Sequence, residues 1–394
     1  MMKAETLGCG NGTGGVTPGA AKLLQEAQEL EPWLQEIFFR LHRNPELGTQ
    51  EFQTQALILE ELEKMGIEAT PIADTGVLGL IRGGKPGKTV AFRADMDALP
   101  ITEKTGAAYA STIDGCMHAC GHDGHMAILL ELARRLSKKE SLPHNVLLIF
   151  QPGEESPGGA KAICDTGLLA KYHVLTTFGL HLWPGLTAGK VFSRKNELMA
   201  RASEVTVDIY GKSAHIAKAA EGIDSLMAGA EFYTRAMEME RQIPSGIYRL
   251  LKFGKFHSGT ARNALSAHTH LEGSLRAFQD EVFEEMAASL GTFAAEVEAK
   301  YGASVKLHLA EGYPAVLNPG DLYDRVTAIA DLEPLAEPCM TAEDFSWYQR
   351  FAPGMFFFLG LGDTPALHAN TFDFDETILL KGADFFEALA ENFQ

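Results

Sequence analysis

Cysteine is scarce: there are five in 394 residues, at positions 9, 116, 120, 164 and 339. An odd number at irregular spacing argues against a disulfide framework. Positive charge is also in short supply. Lys and Arg total 34 against 52 Asp and Glu, a net charge of −18. Phosphate binding needs a basic face, so the charge argues against a nucleic-acid partner. No run approaches the ~18 unbroken apolar residues of a membrane span, so no membrane partner is expected. Residues 1–21, rich in Gly and Thr, lack a basic segment followed by an apolar one. They read as a loose tail rather than a signal peptide, and the expected location is cytoplasmic. There is no internal repeat and no Gly-x-Ser-x-Gly nucleophile elbow. What is present suffices for a sizeable core: 46% of residues are hydrophobic, and the length suggests two domains.

Apolar residues recur at helical spacing from Ala21 to about Lys64, interrupted by the turn Asn44-Pro45-Glu46-Leu47-Gly48. Residues 89–94, 145–150 and 174–180 read as buried strands, and residues 126–136 as a helix. Each strand ends in polar residues: Asp95 and Asp97, then Gln151 with Glu154 and Glu155, then His181. Strand–helix alternation predicts a mainly parallel, doubly wound α/β sheet, in which ligands collect beyond the carboxyl ends of the strands. The pattern changes near Arg201. Residues 204–210 alternate like a half-exposed strand, and a βαββαβ order follows as far as Ala310. The expected architecture is a discontinuous catalytic domain, 22–199 and 313–394, with an inserted two-layer α+β lid, 200–312.

The densest chemistry is His118-Ala119-Cys120-Gly121-His122-Asp123-Gly124-His125, where a thiol, three imidazoles and a carboxylate fall within eight residues punctuated by two glycines. This points to a metal site. A packed thiol with solvated histidines in a glycine-rich loop is the plain alternative. Glu154-Glu155 suits metal hydrolysis, in which one carboxylate binds the metal and another takes a proton from water. It would also suit a solvated acidic pair. His181 would equally be a hydrogen-bonded core residue, His368 an exposed loop residue, and Asp95 and Asp97 loop or helix caps. Their common placement at one predicted sheet edge favours the site. His215 in the insert either faces that site across a cleft or caps the next helix. Asn263 and Arg276 are suited to binding a carboxylate, Arg through its planar two-pronged fork, or are surface side chains.

Five motifs occur in order: Arg93-Ala94-Asp95-Met96-Asp97-Ala98-Leu99-Pro100, Met117-His118-Ala119-Cys120-Gly121-His122-Asp123, Phe150-Gln151-Pro152-Gly153-Glu154-Glu155, Gly179-Leu180-His181, and His368 with Phe372-Asp373-Phe374-Asp375-Glu376. In these, from about Trp33 to the C-terminus, the chain resembles the di-metal amidohydrolases that include hippurate hydrolase, N-acyl-amino-acid amidohydrolase, indole-3-acetyl-amino-acid hydrolase and N-acetyldiaminopimelate deacetylase. The resemblance implies that Cys120, His122, Glu155, His181 and His368 hold two divalent ions, with Cys120 able to bridge them. It implies Glu154 as general base and then general acid, and Asp97 as a residue that orients a ligand. His215, Asn263 and Arg276 would bind substrate from the lid, His215 by reaching a neighbouring subunit. A homodimer through the insert is implied as well. Members often continue the lid histidine as Gly-His-Ala-Ala-x-Pro-His. Here the chain reads His215-Ile216-Ala217-Lys218-Ala219-Ala220, without the proline or second histidine.

The expected reaction is hydrolysis of the amide of a small N-acyl amino acid. Thiolate, imidazole and carboxylate together suit zinc, manganese, cobalt or nickel rather than calcium or magnesium. A di- or carboxypeptidase acting on short peptides is the rival within enzymes. A non-catalytic metal-binding or interaction protein is the rival outside them, and the presence of both Glu154 and Glu155 counts against it.

Overall fold

Residues 90–92, 146–150 and 355–359 are apolar at successive positions because each strand is buried on both faces. Val90, Phe92, Val146, Leu148, Met355 and Phe357 pack on one side, with the helices Pro32–Arg43, His122–Leu136 and Leu379–Asn392. Ala91, Leu147, Ile149, Phe356 and Phe358 pack on the other, with the helix Gly159–Asp165 and the turn of 3-10 helix Asp344–Arg350. A side-chain period of two sends alternate residues to opposite layers, which makes the sheet doubly wound.

The computed structural model describes residues 31–84 and 87–393. The tail 1–21, the start of the first helical pattern and Cys9 lie outside them. The strands are β1 (Glu68–Ile72), β2 (Gly76–Ile81), β3 (Thr89–Asp95), β4 (Asn145–Gln151), β5 (Val174–Trp183), β6 (Val191–Ser193), β7 (Asn196–Met199), β8 (Arg201–Tyr210), β9 (Arg249–Ser258), β10 (His268–Ala277), β11 (Ser304–Leu309), β12 (Val316–Asn318), β13 (Glu333–Pro334) and β14 (Gly354–Gly360). Eight form one sheet in the order β1-β2-β4-β3-β5-β14-β6-β13. Its centre, β4-β3-β5-β14, is parallel. The carboxyl ends of these strands therefore share one edge, where Asp95, Gln151 and His181 emerge. Four more strands form an antiparallel sheet, β11-β8-β10-β9. The helices Ser225–Gln242 and Asp280–Tyr301 cover one of its faces, burying Val205, Val207, Ile209 and Leu271 against Phe232, Met286 and Leu290. This is the expected βαββαβ layer on a mainly parallel α/β body. Among the described residues no helix is long and apolar enough to cross a membrane, and Cys116, Cys120, Cys164 and Cys339 are free thiols.

One helix starts earlier than its apolar pattern. Residues 126–136 carry the period, yet the helix begins at His122, after Gly121 at φ 84°. A side chain at Gly121 would meet both the left-handed backbone and Leu182, 3.1 Å from its Cβ. His122, Asp123 and His125 are buried in the helix's first turn, so polarity there marks inward-facing chemistry rather than a loop.

His42 holds that turn from the neighbouring helix. Its Nδ1 lies 2.6 Å from Asp123 Oδ2, and its Nε2 lies 3.3 Å from Glu103. Burial alone would lower the pKa of His42, but Asp123 and Glu103 outweigh it and raise the value to about 10. A histidine raised on folding stabilises fully below its unfolded value, near 6.5, and loses that contribution as pH climbs through about 10. His42→Leu should therefore cost ~3–5 kcal/mol at pH 6, the range for breaking a buried pair, and much less at pH 10. Urea midpoints at the two pH values measure this. An equal cost at both would remove the charge from the explanation.

Candidate metal centre

Asp97 organises the strand-end loops. Its Oδ1 and Oδ2 accept the backbone N–H groups of Glu154 and Glu155 at 2.9 and 3.0 Å. Its own carbonyl oxygen lies 2.8 Å from His122 Nδ1. With Nδ1–H donated to that carbonyl, the nitrogen of His122 left for a ligand is Nε2, which is fully buried and makes no hydrogen bond. His181 is oriented in the same way. Its Nδ1 donates to the Leu182 carbonyl at 2.7 Å, and its Nε2 stands 3.3 Å from Cys120 Sγ. Burial pushes the pKa of His181 well below its ordinary value, so the ring is neutral, the form that binds metal.

His368 arrives from the far end of the chain. It sits at φ 64°, with its N–H donated to the Ala119 carbonyl at 2.8 Å, which sets it beside Cys120. Its Nε2 lies 2.9 Å from Glu155 Oε1. Cys120 falls into two donor groups, one with His122 and His181 and one with Glu155 and His368, and His122 also groups with Glu154 and Glu155 and with Asp95 and His125. Within each group the donor atoms lie within 4.8 Å of one another. The buried thiol of Cys120 has its pKa raised well above the ordinary value, so a cation bound there must displace the thiol proton. His122 Nε2, buried without a hydrogen bond and 3.7 Å from Asp95 Oδ2, stands between a thiol and carboxylates, a donor set that fits a transition-metal ion.

The two neighbouring glutamates are driven apart. Burial, then the negative charges of Glu343, Asp344 and Glu155, raise the pKa of Glu154 far above the usual carboxylate range. Burial also acts to raise Glu155, but His368 and His122 outweigh it and hold that carboxyl below its ordinary value. The Asp344 N–H reaches Glu154 Oε1 at 3.4 Å, and Tyr313 Oη donates to the Glu154 carbonyl at 2.9 Å.

The other histidines of the opening motif have different surroundings. His125 Nδ1 lies 2.6 Å from Asp95 Oδ1, and its Nε2 accepts the Leu182 N–H at 2.9 Å, so both ring nitrogens are engaged. His118 is fully buried without a hydrogen-bond partner, and burial lowers its pKa to about 4.

Beside Glu155 a cleft of about 680 Å³ opens between the main body and the four-stranded sheet, lined by Glu155, Lys161, Ser274, Arg276, Tyr313 and Trp347 among others. That volume lies within the range of small-molecule sites. Arg276 lines the cleft and donates to the Met340 carbonyl at 2.6 Å. His215 and Asn263 do not line it. His215 Nδ1 accepts the Ala217 N–H at 3.2 Å and caps the short helix Ile216–Glu221, and Asn263 is exposed nearby.

Sequence reasoning passed over Glu343 and Asp344, buried carboxylates beside Glu154 that also pair with Arg93 at 2.9 and 2.8 Å. The available signal was an acid pair ahead of Phe345-Ser346-Trp347-Tyr348, an aromatic segment too apolar for a solvated turn. Tyr313 was read only as a boundary.

The doubly wound sheet with its added layer, and the thiol, imidazole and carboxylate donors at its strand ends, define a hydrolase of a metal-binding class. The chain belongs to peptidase family M20/M25/M40, whose sequence profile matches residues 91–392. It is 34% identical over 387 residues to thermostable carboxypeptidase 2 of Saccharolobus solfataricus, covering 94% of this chain and 98% of that one. It is 33% identical over 357 residues to N-acetyldiaminopimelate deacetylase of Lacticaseibacillus casei, covering 87% and 93%. A solved structure of a dinuclear metal-binding peptidase of the M20 family from Bacillus subtilis matches with a TM-score of 0.79 at 30% identity, over 91% of this chain and 96% of that one.

Proposed function

We propose that this hydrolase is a di-metal amidohydrolase that cleaves N-acyl amino acids of the acetyl or benzoyl type to a carboxylate and a free amino acid. Residues 22–199 and 313–394 form its catalytic body, residues 200–312 its lid. Cys120, His122, Glu155, His181 and His368 would hold two divalent ions (zinc, manganese, cobalt or nickel). The observation that carries the reading is the gathering of Cys120, His122, Glu155, His181 and His368 into donor groups whose atoms lie within 4.8 Å of one another, with the buried carboxyl of Glu154 beside His122 and Glu155.

When bound, the ions supply Lewis acidity, activating water and stabilising negative charge on the scissile carbonyl oxygen. Glu154 takes a proton from the attacking water and returns it to the departing amine nitrogen, so the proton count closes within one turnover. Asp97 holds Glu154, Glu155 and His122 in register through their backbone and ring N–H groups. Arg276, which lines the cleft, receives the substrate carboxylate in this reading. His215 and Asn263, exposed outside their own cleft, serve a neighbouring subunit in a homodimer built through the lid. The ten-residue edge strand β9 supports that assembly, and sedimentation equilibrium returning a monomer would remove this part of the reading. The free thiols support a cytoplasmic location, which cell fractionation checks.

The carboxypeptidase relative supports a second reading in which the same machinery cuts short peptides. A screen of N-acetyl and N-benzoyl amino acids against dipeptides, with each metal added to chelator-stripped protein, separates the two. Release of amino acid from the N-acyl substrates, lost on chelation, is the expected result. Activity indifferent to chelation would end the proposal.

A further inference from the structure

The four-stranded sheet has one face under its helices and one face open, and the open face carries chemistry that the hydrolase site does not use. β10 alternates. Thr269 and Leu271 are buried, while His268, His270 and Glu272 project to the other side. Residues two apart on a strand share a face, so the two imidazoles stand side by side on a rigid backbone. The neighbouring strand β8 places Asp208 directly opposite His270 and Tyr210 opposite His268. Asp208 Oδ1 lies 2.7 Å from His268 Nε2 and 2.8 Å from His270 Nδ1. One donor atom from each of the three residues falls within 4.8 Å of the others.

We propose that Asp208, His268 and His270 form a second metal site, for a borderline divalent ion such as zinc, on the open face of the lid sheet. Two imidazoles and a carboxylate are a donor set for zinc, nickel or copper, and calcium and magnesium would not choose it.

A separate observation supports a ligand role. Histidines that bind a metal through one nitrogen characteristically donate the other N–H to a carboxylate, which orients the ring and makes it more basic. His270 has that partner. Its Nε2 lies 2.8 Å from Glu272 Oε1, and that oxygen is held in turn by Lys255 Nζ from β9 at 2.8 Å. His268 is oriented by stacking on Tyr210, with ring centroids 4.9 Å apart and planes 17° from parallel. Both rings thus present the nitrogen nearest Asp208, each held by a group outside the trio. A bound ion would replace the two imidazole–carboxylate hydrogen bonds, its remaining positions would open to water, and it would tie the central strands β8 and β10 together. An exposed His–Asp–His hydrogen-bond cluster with no affinity for metal is the competing account, worth little on its own.

Zinc uptake by the full chain decides between them. Chelator-stripped wild type and a His268→Asn/His270→Asn variant are dialysed against zinc alone, and bound zinc per chain is measured by elemental analysis. The variant should bind one equivalent fewer, with its metal-free thermal midpoint and its hydrolase activity unchanged. The difference reads the lid site whatever number of ions the Cys120 cluster holds, so failure here and failure of the proposed function are distinguishable. Equal uptake by the two proteins overturns the site. Asp208→Asn, which retains a hydrogen-bonding side chain, provides the same comparison if the double variant does not fold, and there too equal uptake overturns it.

Discussion

Glu154→Gln should lower kcat by about 10²–10⁴-fold, the usual contribution of a positioned general acid–base, and should leave bound metal unchanged. Glutamine matches the shape of glutamate but cannot carry a proton from water to a leaving amine. The backbone N–H of residue 154 still donates to Asp97 and the Tyr313 hydroxyl still reaches its carbonyl, because neither contact uses the replaced oxygen. The turn that presents Glu155 therefore survives. Metal content by elemental analysis, beside kcat on the best substrate from the screen, separates loss of the proton carrier from loss of the site. A variant that keeps its metal and turns over at the wild-type rate would assign the proton transfer elsewhere. Glu155→Gln should fail differently, by losing metal as well as rate.

A large stability effect is also expected at Arg93. Its guanidinium, 1% exposed, meets Asp95 Oδ2 at 2.7 Å, Asp344 Oδ1 at 2.8 Å and Glu343 Oε1 at 2.9 Å, and its Nε donates to Gln151 Oε1 at 2.8 Å. One cation thus serves three buried carboxylates. Even with it present, burial and the charges of Asp344 and Asp95 raise the pKa of Glu343 to about 8, and burial with the charge of Asp97 raises that of Asp344 to about 6. Arg93→Leu leaves these carboxylates facing one another and should cost ~3–5 kcal/mol, as breaking a buried pair does. The pH dependence has a definite sign. A carboxyl that binds its proton more tightly folded than unfolded makes the fold more stable at low pH, and that stability is lost as pH rises from the unfolded value through the folded one. The deficit of the variant should accordingly shrink as pH falls from 8 toward 5. Chemical-denaturation midpoints across that range test both claims. A deficit that is flat with pH would mean that lost packing, not stranded charge, is the cause.

Much of this was legible in the chain itself. Continuous apolar runs ending in polar residues identified strands whose carboxyl ends form one edge, and Asp97, Glu154, Glu155 and His181 emerge there because a parallel sheet leaves no other exit. The change of pattern at Arg201 marked the antiparallel layer, since half-exposed strands alternate and doubly buried ones do not. The start of the helix at His122 was less legible. Apolar periodicity reports only the face that meets the core, and here that first turn turns polar side chains inward.

Spacing along the chain brought the ligand-type residues into view, and the residue types defined the chemistry open to them. Tertiary structure decided how they combine. Which nitrogen of His122 and His181 is free depends on carbonyls supplied by Asp97 and Leu182. The opposite displacement of Glu154 and Glu155 depends on Glu343, Asp344 and His368, each roughly two hundred residues away. Arg276 at the cleft, with His215 and Asn263 outside it, follows from how the lid packs. The pairing of Asp208 with His270 follows from strand register. The physical reason is common to all four: pKa, tautomer and donor geometry are set by neighbours in space, and sequence separation does not encode who those neighbours are.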